Sequence, residues 1–202
     1  MDGDEVMTKN SLLDRREAVK ALLADRGDLL VVTGLGSSSY DAFDAGDHAG
    51  NFYLWGAMGG AGVMGLGLAQ AQPKRPVLVI TGDGEQLMGI GGLLTIAARK
   101  PQNLSIAVLD NGHFGETGMQ RSHSGLGAKL DAIARGAGIP SVVEITDMAG
   151  VAAFRSEVHR IGNGPKLALI RISTDHVDRA LPPRDGVFLK NRFRQHLGLA
   201  VS

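Results

Sequence analysis

Asp83 and Asn111 are the two side chains whose types and spacing point most directly to chemistry. Gly82-Asp83-Gly84 closes an apolar run, Val77 to Ile80, and opens a stretch with helical spacing. The 26 residues from 85 to 110 then lead to Asn111, at the end of a second apolar run, Leu104 to Leu109. A strand–helix–strand crossover of that length lays two parallel strand ends side by side. One carboxylate and one amide oxygen then meet at one rim, hard oxygen ligands of the kind that suit Mg2+. A single carboxylate is too little to hold Mg2+ alone, so the other positions call for water, a backbone carbonyl or an anionic ligand. The helix start near Glu85 and Gln86 offers free N–H groups and a positive dipole end to an anion such as diphosphate. An Asp-Gly turn and an unrelated Asn turn are the plain alternative; the helix between them and the spacing count against it.

The elements that must position these residues follow from hydrophobic periodicity. Helices are predicted over Leu12 to Leu23 with Ser11 as N-cap, Met58 to Gln70 stopped by Pro73, and Gln86 to Lys100. Further helices are predicted over Lys129 to Gly136, Met148 to Ile161 and Val187 to Leu197. Short continuous apolar runs at Leu29–Val32, Val77–Ile80, Leu104–Leu109, Val142–Ile145 and Leu167–Ile172 suit strands buried on both faces. The alternation implies an α/β fold, a doubly wound and mostly parallel sheet with helices on both faces. Residues 1–202 read as one domain, with a core at about 14–175 and residues 176–202 as an appended tail carrying a helix. Ligands in such sheets sit beyond the carboxyl ends of the strands. The loops to interrogate are therefore Thr33–Ser39, Gly82–Gln86, Asp110–Ser124 and Thr174–His176.

Composition excludes several classes. Lys plus Arg and Asp plus Glu both number 21, so there is no cationic surplus for nucleic acid or an anionic membrane surface. The chain has no cysteine, which removes disulfides, thiolate metal sites and a thiol nucleophile. The uncharged stretch from Trp55 to Ala69 is fifteen residues long, short of the ~20 that span a bilayer, and reads as a buried helix. The first ten residues lack a basic start leading into an apolar run, so no signal peptide is expected and the cytosol is the default.

Other motifs are weaker. Gly34-Leu35-Gly36 with Ser39 follows a strand like part of a dinucleotide fingerprint, but Ser stands at its third position. Ser37–Phe43 is too short for the required helix, and no acid-ended strand follows near Gly50–Tyr53. An ordinary tight turn is the better reading, with an NAD-binding domain as the rival. Arg15-Arg16 beside Asp14 and Glu17 reads as a solvated helix face. His48, His159, His176 and His196 read as structural or exposed.

Taken together, Gly82-Asp83-Gly84 with Asn111 resembles the diphosphate-and-magnesium motif of thiamine diphosphate enzymes. Gly56-Ala57-Met58-Gly59 is similar to the Gly-x-Met-Gly segment of their decarboxylase and acetolactate synthase branch. Asn51-Phe52-Tyr53, Leu87-Met88, Leu109-Asp110-Asn111-Gly112, Thr117-Gly118-x-Gln120 and Lys190-x-Arg192-Phe193 extend the resemblance from about residue 14 to 197. Across that length the chain resembles sulfopyruvate decarboxylase β subunits and the matching half of phosphonopyruvate decarboxylases.

That resemblance implies thiamine diphosphate and Mg2+ as cofactors and a small 2-oxo acid as substrate. Asp83, Asn111 and the carbonyl of His113 would ligate Mg2+, and the N–H groups of Gly84 and Glu85 would hold the diphosphate. Gly82, Phe114 and Gly115 belong to the same cofactor surface. Met58 would sit under the cofactor and hold it bent, although plain core filling is its ordinary reading, and Gly56 and Ala57 would approach the aminopyrimidine by their backbone. His113, Glu116 and His123 are the candidate general acids. The Glu that contacts the pyrimidine N1′ lies in a separate pyrimidine-binding domain of the family, and the stretch before Leu29 is too short for one. A partner α subunit is implied, in a heterotetramer or larger assembly, and the lone chain is expected to be inert. Carboligation and non-catalytic cofactor binding are the rival roles within the resemblance.

The chain also departs from the pattern. The basic residue that follows Ser after the first strand in relatives with sulfonate or phosphonate substrates is replaced by Ser38, within Ser37-Ser38-Ser39-Tyr40-Asp41. Gln120 is followed by Arg121-Ser122-His123 instead of Pro-Thr. Glu85 stands for a small residue beside the diphosphate, an odd place for a negative charge unless its side chain turns away.

Overall fold

The computed structural model describes residues 12–201. Six parallel strands form the main sheet in the order β2-β1-β3-β4-β8-β7. They are β1 (Leu30–Thr33), β2 (Asn51–Tyr53), β3 (Val77–Gly82), β4 (Leu104–Asp110), β7 (Ser141–Ile145) and β8 (Lys166–Arg171). A two-stranded antiparallel ribbon, β5 (His113–Phe114) with β6 (Gln120–Arg121), rises from the loop after β4. From β1 the chain steps outward to β2 on one side and then to β3 on the other. The order therefore reverses between β1 and β3, the kind of crevice in which open α/β sheets bind ligands.

The apolar runs of β1, β3, β4 and β8 are buried because successive side chains feed two cores. The run expected to be buried on both faces at Val142–Ile145 is instead the edge strand β7 and leaves Val143 and Glu144 exposed. Val31, Leu78, Ile80, Ala107 and Ile170 face one layer, built by α1 (Arg15–Leu23), α2 (Ser37–Asp44) and α7 (Met148–Val158). Leu30, Val32, Val79, Ile106 and Leu169 face the other, built by α3 (Ala61–Ala71), α5 (Gly92–Arg99) and α6 (Leu130–Gly136). The period of two along each strand produces both layers. The segment expected as an appended tail contributes to both. Its helix α8 (Gly186–His196) places Leu189 in the first core and Phe193 in the second, edge-on to Phe52 with ring centroids 5.7 Å apart.

Several boundaries differ from the sequence expectation, each for a local reason. The first helix begins at Arg15, where Asp14 Oδ1 accepts the N–H groups of Arg16 and Glu17, a cap worth about 1 kcal/mol. Ser11, the expected cap, lies outside the described residues, and Leu13 instead bridges to Ile172. The segment judged too short for a helix is α2, entered through Gly36 at φ +72. The helix expected from Met58 starts at Ala61, because Gly59 at φ +84 is not helical. The helix expected over Gln86–Lys100 is two, α4 (Asp83–Met88) and α5, interrupted at Gly89–Gly91. A Cβ on Gly89 would lie 2.1 Å from the carbonyl oxygen of Gly59, so backbone packs on backbone at that break.

Arg15 and Arg16 correct the reading of a solvated face. Arg15 is 8% exposed and its Nη1 lies 2.6 Å from Asp41 Oδ2, while Arg16 Nε lies 3.3 Å from the other oxygen. The pairing is tertiary: Asp41 belongs to α2, whose helix was not expected, so nothing local in the sequence announced it.

Candidate functional site

β3 and β4 pair in register from Val77 with Leu104 to Gly82 with Leu109, so Asp83 and Asn111 emerge from neighbouring strand ends. They line one cavity of about 100 Å3 with Leu35, Ser37 and Ser38 from the β1–α2 loop. Met58, Gly82, Gly84, Glu85, His113, Phe114, Gly115 and Glu116 also face it. Gly56 and Ala57 are exposed on the turn before α3, and His123 is exposed beyond the ribbon, its ring edge-on to Phe114 at 6.4 Å. A second, open cavity of about 200 Å3 shares Arg15, Ser37, Asn111, Gly115 and Glu116 with the first and is bordered by Ser173–Val177, Tyr40 and Arg179. All four strand-end loops nominated from the sequence thus border the two cavities.

Asp83 is buried and its Oδ2 accepts the hydroxyl of Ser122. Burial pushes its carboxyl up to about 6, against the pull of that hydroxyl and with a further push from the charge of Asp110. Asn111 closes a tight local turn. Its Oδ1 accepts the N–H of His113 at 2.9 Å, and its carbonyl lies 2.7 Å from His113 Nδ1. A carbonyl only accepts, so Nδ1 carries the proton and Nε2 is the nitrogen left for other work. Behind them, buried Asp110 takes the N–H of Gly112, the hydroxyl of Ser124 and the guanidinium of Arg171, which fastens the base of the loop.

Glu85 reaches across to the loop after β1. It is buried, and its Oε2 accepts the N–H of Leu35 at 2.9 Å. Burial raises its carboxyl above the usual range, opposed by Thr81, Leu35 and Gly59. Glu116 is held at the tip of the ribbon, its Oε2 3.2 Å from Arg179 and 3.4 Å from the Tyr40 hydroxyl. Ser37 and Ser38 sit in the first turn of α2, where Ser39 and Tyr40 N–H groups are already spent on Gly36. The preceding N–H groups of a helix have no acceptor within it, which suits an anion.

A divalent cation fits these residues. Asp83, Asn111 and the His113 carbonyl are a hard-oxygen set, and among the described residues no group of three acids or histidines competes to hold a metal. One carboxylate leaves room in the coordination for an anionic ligand such as a diphosphate. Sequence reasoning missed Ser122 and Asp110, whose roles come from the loop folding back on itself, and Arg15, which entered the wall through its pairing with Asp41.

The chain is similar to several known proteins. Residues 35–172 match the family described as thiamine pyrophosphate enzyme, C-terminal TPP binding domain. The sulfopyruvate decarboxylase subunit beta of Methanocaldococcus jannaschii is 36% identical over 129 residues, 63% of this chain and 68% of that one. The phosphonopyruvate decarboxylase of Streptomyces viridochromogenes is 42% identical over 135 residues, 66% of this chain but 34% of that protein. Among solved structures, a thiamin diphosphate-dependent enzyme from Mycobacterium smegmatis superposes with a TM-score of 0.69 at 21% identity. That likeness covers 81% of this chain and 32% of the other, so the chain spans about a third of the M. smegmatis enzyme. Benzoylformate decarboxylase from Polynucleobacter necessarius gives 0.66 at 16% identity, covering 82% and 34%. No described helix is long and apolar enough to cross a membrane.

Proposed function

We propose the following role for this chain, which belongs to the family described as thiamine pyrophosphate enzyme, C-terminal TPP binding domain, matched over residues 35–172. It is the cofactor-holding subunit of a heteromeric 2-oxo acid decarboxylase, working in the cytoplasm on small acids of the sulfopyruvate or phosphonopyruvate kind. The observation that carries this reading is the pairing of β3 with β4, which sets Asp83 and Asn111 at one cavity opposite the first turn of α2.

Thiamine diphosphate, when bound, supplies an electron sink for the loss of CO2 from a 2-oxo acid. The chain's own residues do the rest. Asp83, Asn111 and the carbonyl of His113 hold Mg2+. The N–H groups of Gly84 and Glu85 hold the diphosphate, and Gly82, Phe114 and Gly115 wall it from water. Met58 supports the cofactor from the α3 side, with the Gly56 and Ala57 backbone toward its pyrimidine. His113 has its Nδ1 proton engaged by Asn111 and its ring fixed, so Nε2 is the atom that takes up and returns a proton to the product. Glu116 and His123 are the alternative proton carriers. The carboxylate for the pyrimidine N1′ comes from a partner α subunit; three relatives that bear the name subunit beta support a partner.

Calorimetric titration with thiamine diphosphate, with and without Mg2+, tests the reading. Binding is expected only with Mg2+ and is lost in Asp83→Asn. The lone chain should release no CO2 from any 2-oxo acid until a pyrimidine-binding partner is added. Turnover by the lone chain would remove the partner, and Mg2+-independent binding would remove the metal.

A further inference from the structure

Ser122 is fully buried in the return limb of the loop that starts at Asn111. Its side chain and its main chain reach in two directions. The hydroxyl oxygen receives the N–H of Gly125 at 3.3 Å. A hydroxyl has one proton, and with an N–H arriving at the oxygen that proton goes to the other neighbour, Oδ2 of Asp83. The Ser122 N–H meanwhile donates at 2.8 Å to the carbonyl of Gly112, the residue after Asn111. One residue thereby joins the end of β3 to the end of β4 across 39 positions of sequence.

The joint has no slack. A Cβ on Gly125 would stand 2.2 Å from the Gly112 oxygen, so the two limbs of the loop touch backbone to backbone. Ser124, two residues on, donates at 2.6 Å to Asp110, the residue before Asn111. With Oδ2 engaged by a neutral donor, rotation of the Asp83 carboxylate is blocked and its other oxygen keeps one direction.

We propose that Ser122 is the positioning residue of the cation site: its hydroxyl sets the orientation of the Asp83 carboxylate and its backbone ties that orientation to the Asn111 turn. This rests on the reading of Asp83 and Asn111 as the metal-holding pair. Removing such a hydrogen-bonding partner behind a metal ligand lowers metal affinity by roughly ten- to a hundredfold.

The test uses Mn2+ in place of Mg2+, with free Mn2+ read by electron paramagnetic resonance in the presence of thiamine diphosphate, on the full chain. Ser122→Ala is expected to weaken Mn2+ binding roughly tenfold or more, while Ser122→Thr, which keeps the hydroxyl, stays near wild type. Should Ser122→Ala not fold, Ser122→Thr against Ser122→Val makes the same comparison between side chains of one shape. Equal Mn2+ affinity with and without the hydroxyl overturns the proposal, even if the melting temperature falls. Asp83→Asn separates the two levels. If wild type binds no Mn2+, or Asp83→Asn binds it equally well, the metal site itself falls and Ser122's role with it. If Asp83→Asn loses Mn2+ and Ser122→Ala does not, only the role of Ser122 falls.

Discussion

Glu85 Oε2 accepts the backbone N–H of Leu35 at 2.9 Å, so a buried carboxylate ties the first turn after β3 to the loop after β1. Those are the two strand ends that flank the reversal of strand order, and both loops wall the cavity. Gly34 has no room for a side chain because a Cβ there would lie 1.8 Å from the same oxygen. The tie is therefore part of the cradle rather than a stray surface contact.

A hydrogen bond to a buried charged group contributes about 1.5–3 kcal/mol, and its loss leaves the Leu35 N–H unpaired. Glu85→Ala is expected to lower the unfolding free energy in urea by about that amount. Glu85→Gln should recover part of the loss, since its amide oxygen can accept the same N–H. An alanine variant as stable as wild type would show that the tie contributes nothing.

The layers of this fold were legible because buried parallel strands leave continuous apolar runs, and the five runs at Leu29, Val77, Leu104, Val142 and Leu167 each became a strand. The short edge strand Asn51–Tyr53 left no such run, since three residues carry too little pattern. The Asp83 and Asn111 strand ends were readable from one crossover length. The residues around them were not. Asp41 draws Arg15 into the interior, and Ser122 reaches Asp83 only because Gly112 and Gly125 let the loop close; both depend on contacts far apart in sequence. Glu85 was visible as an oddity, but its direction was set by the Leu35 N–H, a backbone group that no sequence pattern marks.

His48 and His196 make the fold sensitive to acid at the edge where α8 covers β2. His48 Nδ1 accepts the Gly50 N–H at 2.9 Å, and His196 Nε2 lies 3.1 Å from Arg75 Nη2, which can only donate. Both nitrogens are thus bare in the folded state, with the rings 5.2 Å apart. Burial lowers both pKa values first; Arg26 and His196 add to it at His48, Arg75 and Arg26 at His196, and Asp47 and Asp28 oppose. For a histidine lowered in the folded state, the unfolded chain takes up protons first. This contribution is therefore present above about pH 6.5 and is lost as pH falls from there through the folded-state values. Urea midpoints at pH 7.5, 6.5 and 5.5 should show wild type losing more stability on acidification than His196→Gln. Comparing the two cancels the remaining titrating groups, and parallel curves would remove the pair as the cause.

Phe114 lies against Gly84, where a Cβ would meet its ring carbons at 2.4 and 2.6 Å. Distances that short force movement, and overpacking of this kind costs about 1–3 kcal/mol. Gly84→Ala should therefore destabilise the chain, and Phe114→Ala should relieve the collision. The double variant would then cost less than the sum of the two single changes, by about 1 kcal/mol. The same pair of variants separates packing from ligand approach. If the Gly84 N–H alone meets the diphosphate, Gly84→Ala keeps that contact, and the double variant should bind thiamine diphosphate as Phe114→Ala alone does, because the new methyl points to the side where the ring stood. If the double variant binds thiamine diphosphate more weakly than Phe114→Ala alone, the ligand approaches the face of Gly84 from which a Cβ would point, the face now covered by the Phe114 ring.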